Sequence, residues 1–182
     1  MRGSRGWSAT VRRGTLGLVS HPIQESDLAQ ELAGVFRQYP AGAAVLTARG
    51  AAGPVGMTVS SLASVSVRPA MVSLSMGHGS ITLAALEEGS RVVLHPLDAG
   101  QEQLGDEFAH HGISELRTRW VVSPEQVPCL DVATARLHCE VVRLVDVGSA
   151  TVVVLEVDRI EPGRRGHDAL VWMGRRWRTI PR

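Results

Sequence analysis

Two periods of apolar residues run through the chain, and each predicts its own kind of element. From Ile23 onward, Leu28, Leu32, Val35 and Phe36 recur at the three-and-four spacing of a helix face. Ser26 before Asp27 has the chemistry of an N-cap, so a helix to about Gln38 is predicted, ended by Tyr39-Pro40-Ala41-Gly42. The pattern then shifts to short, dense runs of Val, Leu and Ala. Residues 43–48 read as one strand, Arg49-Gly50-Ala51-Ala52-Gly53 as a turn, and Val55 to Ser61 as the second arm of a hairpin. Pro69 to Met76 gives another strand. Gly77-His78-Gly79 breaks it, and Ser80 is placed to cap a helix through Glu87.

Val92 to Leu97 is a further strand whose end is marked by Pro96, and Asp98 caps a helix from Gln101 to His110 with Leu104 and Phe108 on one face. The stretch from Gly112 to Pro128 has little pattern; a helical turn around Ser114 to Arg117 and a covering loop are expected there. Thr134 to Val145 and Ala150 to Ile160 are long Val-rich strands joined at Asp146-Val147-Gly148-Ser149. A last hairpin pairs Leu170-Val171-Trp172-Met173 with Trp177 to Ile180. Long strands that arrive as neighbouring hairpins predict a mainly β fold, a small β-barrel with capping helices, and not a parallel βαβ sheet.

Composition narrows the picture. At 182 residues the chain is expected to form one domain, residues 23–182. Residues 1–22, rich in Gly, Ser and Arg and without a period, are expected to be a flexible arm. A net charge of +1 without a continuous basic face argues against a nucleic-acid partner. No run is apolar enough to span a bilayer and no leader pattern is visible, so a cytoplasmic protein with no membrane partner is expected. Cys129 and Cys139 fit neither a zinc site nor a redox pair and are read as reduced thiols, Cys139 a buried one. The seven histidines lack an H-x-x-x-H spacing, so no metal site is expected.

Candidate chemistry concentrates in Gly53 to Pro69, which is poor in charge and dense in small hydroxyl residues. Small side chains let a flat or anionic ligand approach the backbone, and hydroxyls and amides can bond phosphate or ring oxygens. The stretch has neither the Gly-Lys-Ser/Thr ending of a phosphate loop nor a dinucleotide G-x-G-x-x-G. Its serines equally suit the outward positions of a plain strand. Taken alone, it leaves both readings open.

An ordered set of segments goes further. Phe36-Arg37-Gln38-Tyr39-Pro40-Ala41-Gly42-Ala43-Ala44-Val45-Leu46-Thr47 is followed by Gly56-Met57-Thr58-Val59-Ser60-Ser61-Leu62-Ala63-Ser64-Val65-Ser66 and Pro69-Ala70-Met71-Val72-Ser73-Leu74-Ser75. Ser80-Ile81-Thr82, the run from Val92 to Phe108 and Ala169-Leu170-Val171-Trp172 complete the series. In order and spacing, from about Leu28 to Thr179, the chain resembles the flavin reductase-like family, whose members supply reduced flavin in two-component monooxygenases.

That resemblance implies an FMN-binding split barrel of Greek-key-like topology that takes FMN or FAD. It places the flavin along Met57, Thr58, Val59, Ser60 and Ser61, with Ser64 close by, and turns Ser80, Ile81 and Thr82 toward its ribityl and phosphate part. It further implies a homodimer with the flavin site near the dimer interface. Trp172, with Trp177 in the same late hairpin, edges the pocket in one reading and belongs to the core in the other.

The chain departs from its relatives at one point of chemistry. Many carry Gly-Asp-His in the turn before the long Val-rich strand, the histidine standing near the nicotinamide; here the residues are Gly148, Ser149 and Ala150. His95 and His167 are the remaining catalytic candidates, and each also suits a structural role. Pro69-Ala70 replaces the usual Pro-Pro, and Val92 stands where many relatives have Phe, a change of packing.

The leading expectation is an NAD(P)H:flavin oxidoreductase that passes reduced flavin to a partner monooxygenase. It needs no triad or carboxylate pair, because the cofactors carry the difficult step. Ala150 keeps open a flavin-binding electron carrier or store without nicotinamide activity. A bare interaction module would leave Gly56 to Ser61 unexplained. Arg164-Arg165 and Arg175-Arg176 are candidate partners for a 2′-phosphate or simply solvated pairs, so NADH or NADPH, like FMN or FAD, stays open.

Overall fold

The computed structural model describes residues 25–110, 120–131, 135–163 and 168–181. The expected arm, the helical turn around Ser114 to Arg117, Arg164-Arg165 and His167 lie outside the described residues. Helix α1 (Glu25–Gln38) begins one residue before Ser26, which therefore sits in its first turn and is not its cap.

Strand β1 (Ala41–Gly42) leads into the hairpin β2 (Ala44–Gly50) and β3 (Gly53–Val59). The hydroxyl-rich stretch is not one strand. Its chain leaves β3 at Val59 and re-enters a sheet as β4 (Ala63–Val67), which pairs antiparallel with β5 (Ala70–Gly77). Helix α2 (Ile81–Ala84) is a single turn and stops well short of Glu87, while its expected cap holds: the Ser80 hydroxyl accepts from the Leu83 amide at 3.2 Å.

Beyond it come β6 (Arg91–Pro96), α3 (Glu102–His110), the short pair β7 (Trp120–Val122) and β8 (Pro128–Leu130), and the long hairpin β9 (Arg136–Val147) and β10 (Ala150–Glu161). At the start of α3 the Asp98 amide donates to the Gln101 side chain at 3.0 Å, the returning half of a capping box, and the Asp98 carbonyl accepts from the Gln101 amide at 3.2 Å. The hairpin β11 (Ala169–Met173) and β12 (Arg176–Ile180) closes the series.

Seven strands form one antiparallel sheet in the order β3-β2-β6-β9-β10-β5-β4. β3 and β4 stand at its opposite ends, yet only residues 60–62 join them. So short a link spans little more than 10 Å, and the sheet must curl until its ends meet. A barrel results, with a seam where the ladder lapses.

The register that pairs Ala63 with Ser73 puts Ser61 opposite Ser75. There the Ser61 hydroxyl accepts from the Ser75 amide at 2.9 Å and donates to the Ser75 carbonyl at 3.1 Å. One side chain replaces the missing ladder bonds.

β2 and β6 are buried on both faces. Leu46, Val92, Leu94, Leu74, Val153 and Leu155 pack inside the barrel. The alternate positions of the same strands face outward under a second layer. Val45 meets Leu97, Leu104, Phe108 and Leu170 there, and Val93 meets Val127 and Cys129. Burying each large aliphatic side chain contributes about 1.5–3 kcal/mol. This outer layer, made by α3, β7–β8 and β11–β12, builds the site.

Candidate functional site

Strand alternation divides the hydroxyl-rich segment into two faces. Val59 is buried in the barrel core and Met57 packs against that core. Thr58 and Ser60 point the other way, toward α3. The Thr58 hydroxyl donates to the Gly105 carbonyl at 2.7 Å, tying β3 to the helix.

Helix α3 turns Leu104 and Phe108 into the outer core, which leaves Asp106, Ala109 and His110 on a different face. That face, the Thr58 and Ser60 side of β3, and Trp172 and Trp177 of the last hairpin enclose a cleft of about 300 Å³. The two indoles meet edge to face with centroids 4.8 Å apart, and the Trp177 N–H donates to Asp106 Oδ1 at 2.8 Å.

Ala43 also borders a second cleft of about 250 Å³ with an apolar lining that includes Leu62, Leu97 and Val171. One strongly aromatic wall facing hydroxyls suits a flat ring with an apolar body and polar rim. The residues present therefore fit a flavin ring system.

Of the expected contacts the cleft thus brings together Thr58, Ser60 and Trp172, and the others are not among its lining. Ser80 caps α2 and its hydroxyl lies 3.2 Å from Met57 Sδ; Thr82 is buried beside it, whereas Ile81 is 81% exposed. Ser61 is engaged at the seam with Ser75, and Ser64 is exposed on β4.

His95 lies elsewhere, fully buried between the barrel wall and the β7–β8 pair. Burial pushes its pKa down to about 3, so its ring is neutral. Its Nε2 lies 3.1 Å from the Thr47 hydroxyl, which in turn donates to the Pro128 carbonyl. This geometry gives His95 a packing role and no access to the cleft.

Next to it, His138 is also buried, between Glu161 at 3.1 Å and Arg159 at 2.9 Å. The hydrogen bond from Arg136 is the main cause that holds Glu161 near about 2. Both cysteines are free and buried, and burial pushes the Cys139 thiol up to about 12. Among the described residues no His, Cys, Asp and Glu group is arranged to hold a metal ion.

Ala150 sits at the end of β10 opposite Gly77. The neighbouring imidazole is that of His78. Its amide donates to the Ser149 carbonyl at 3.2 Å, and its Nε2 lies 3.6 Å from Asp146 Oδ1, which also accepts from Thr151. The sequence does not mark His78, which belongs to a different turn; only the β5–β10 pairing brings the two turns together. Asp106, Ala109 and His110 likewise carry no motif in the sequence beyond their place on the predicted helix. Helical periodicity separates their face from that of Leu104 and Phe108, but it does not say what the face meets.

A family model described as the flavin reductase like domain matches residues 36–181. The chain is 33% identical to the NADH-dependent FMN reductase SmoA of Agrobacterium fabrum, over 75% of this chain and 77% of that protein. Its fold superposes with a TM-score of 0.73 on a Streptomyces globisporus NADH:FAD oxidoreductase in complex with NAD and FAD fragments, at 30% identity over 87% of this chain and 96% of that one. BorF, the flavin reductase component of a bacterial two-component tryptophan halogenase, superposes with a TM-score of 0.76 over 85% of this chain and 99% of its own, and at 24% identity it speaks to the fold alone. With the curled barrel, the aromatic-and-hydroxyl cleft and this match along most of its length, the chain belongs to the flavin reductase-like family.

Proposed function

We propose that this chain is an NAD(P)H-dependent flavin reductase that transfers hydride from NADH or NADPH to FMN or FAD and supplies the reduced flavin to a partner monooxygenase. The observation that carries the reading is the meeting of Thr58 and Ser60 with Trp172 across one cleft. A bound flavin supplies the hydride chemistry itself. The chain holds the flat ring between indole and hydroxyls, bonds its rim from Ser60 and excludes water with Trp177 and Ala109. Met57 and Val59 turn their side chains to the core, so their contribution is backbone. Ser61 and Ser64 border the ring from the seam, and Ser80, Ile81 and Thr82 take the ribityl and phosphate end.

His78 is the imidazole this reading assigns to the nicotinamide, in place of the one missing at Ala150. The protein works as a homodimer with the site near the interface. Its support is α1, whose Leu28, Leu32, Val35 and Phe36 are all more than half exposed, and whose Arg37 carbonyl accepts from the Gly174 amide at 2.7 Å, in the turn between the two tryptophan strands. No helix among the described residues is long and apolar enough to cross a membrane. The cytoplasm, where reduced nicotinamides are supplied, is the compartment this activity requires.

The second reading, a flavin carrier without nicotinamide activity, rests on Ala150. Mixing the purified protein with FMN or FAD and following the absorbance of NADH and NADPH separates the two. Turnover is expected. His78→Ala is expected to lower kcat/KM for the nicotinamide about tenfold, the effect of losing one good polar contact, with flavin affinity unchanged. Flavin binding without oxidation of either nucleotide puts the carrier in the reductase's place.

A further inference from the structure

Trp177 touches three things that fix it. Its indole N–H is held by Asp106 Oδ1 at 2.8 Å, its ring meets Trp172 edge to face at 4.8 Å, and its six-membered ring lies against Gly105. A Cβ at Gly105 would stand only 2.5 Å from that ring. The Gly105 carbonyl also receives the Thr58 hydroxyl at 2.7 Å, so a single helical glycine joins both walls of the cleft.

An edge-to-face pair spends one ring face and one ring edge. Two stacked indoles would spend a face each. The observed arrangement therefore keeps aromatic face available for a third ring, and it lasts only while Trp177 is prevented from rotating. The Asp106 carboxylate is the polar group that prevents this, since Trp has one donor and no other hydrogen-bonding group.

We infer that Asp106 is a positioning residue for flavin. By accepting the Trp177 N–H, with Gly105 as the seat that admits the ring, it holds the indole pair open as a receptor for the tricyclic ring. The inference rests on the placement of flavin in this cleft. It asks of Asp106 an acceptor oxygen and not a negative charge.

The test uses the full chain and titrates FMN and FAD by fluorescence quenching, alongside steady-state rates. Asp106→Asn retains an acceptor and is expected to keep the flavin Kd within about twofold of the parent. Asp106→Ala and Trp177→Phe are expected to raise it about three- to tenfold, the range for one lost hydrogen bond. The nicotinamide KM should stay unchanged, and kcat at saturating flavin should change less than Kd. The far-ultraviolet circular dichroism couplet of adjacent indoles should weaken in Asp106→Ala and survive in Asp106→Asn.

Ser60→Trp, which fills the cleft from the opposite wall, tests the placement itself. If Ser60→Trp binds flavin as the parent does, the flavin lies elsewhere and both readings fall. If Ser60→Trp blocks binding while Asp106→Ala leaves Kd unchanged, or if Asp106→Asn is as impaired as Asp106→Ala, only the brace is overturned.

Discussion

His95 lies in the outer core, fully buried, with its Nε2 3.1 Å from the Thr47 hydroxyl. The single hydroxyl proton of Thr47 goes to the Pro128 carbonyl, so the His95 ring must donate from Nε2 and is held in that neutral tautomer. Its Nδ1 is left buried without a hydrogen-bond partner, and a second proton there would place a charge in the outer core. With the pKa at about 3 in the fold against an ordinary 6.5, the group is neutral in both folded and unfolded chains above 6.5. Below that, the unfolded chain takes up a proton that the folded one refuses. Stability therefore falls as pH drops from about 6.5 toward 3, by as much as about 1.4 kcal/mol per unit from this site alone. Glu161, held near about 2 chiefly by Arg136, adds its own loss only below its ordinary 4.5. Denaturation midpoints between pH 7 and 5 are thus expected to show a steeper decline in the parent than in His95→Gln, which keeps a donor for Thr47 and cannot titrate. Parallel declines would remove the basis for a neutral, structural His95.

Among the elements, the seam between β3 and β4 carries the largest consequence for the site. Ser61 supplies with one hydroxyl the donor and acceptor that a paired strand would present to Ser75, at the point where the chain steps from one end of the sheet to the other. Ser61→Ala leaves both Ser75 groups to solvent, at a cost of about 0.5–1.5 kcal/mol. Amide exchange at Ser75 should quicken by more than the global loss explains, whereas unchanged protection there would show that the seam needs no such bridge. The long hairpin β9–β10 was legible in the sequence because Val-rich alternation and a Gly-containing turn act locally. The same holds for α3, with its Leu104 and Phe108 face. The seam was not legible: Met57 to Ser66 has continuous strand composition, and the break between β3 and β4 is imposed by which edges the barrel must join. α2 ended early for a related reason: Ala85, Leu86 and Glu87 are good helix formers, but the amides of Ala85 and Leu86 bond only three residues back, Leu86 enters the barrel core and the Gly89 amide goes to the Val141 carbonyl.

At the scale of the molecule, the barrel and its outer layer account for most large apolar side chains but not for those of α1. Leu28, Leu32, Val35 and Phe36 recur at the helical spacing that the sequence displays, yet each is more than half exposed, as is Tyr39 just beyond the helix. The period is plain in the sequence but what it faces is not, because a helix stripe covered by a second copy has the same pattern as one covered by its own chain. An apolar stripe of this length left in water favours association. Its C-terminal end joins the turn of the tryptophan hairpin through the Arg37 carbonyl and the Gly174 amide, so a partner seated on α1 lies near the cleft. Sedimentation equilibrium is expected to give a dimer for the parent at micromolar concentration. Phe36→Glu, which places a charge in the stripe without touching the barrel core, should shift it to monomer with the circular dichroism of the β fold retained. If the site is completed at the interface, flavin affinity should fall in the same variant and, in the parent, weaken on dilution through the dimer transition. A parent that sediments as a monomer while binding flavin would separate the site from the interface, and the cleft would then have to be complete within one chain.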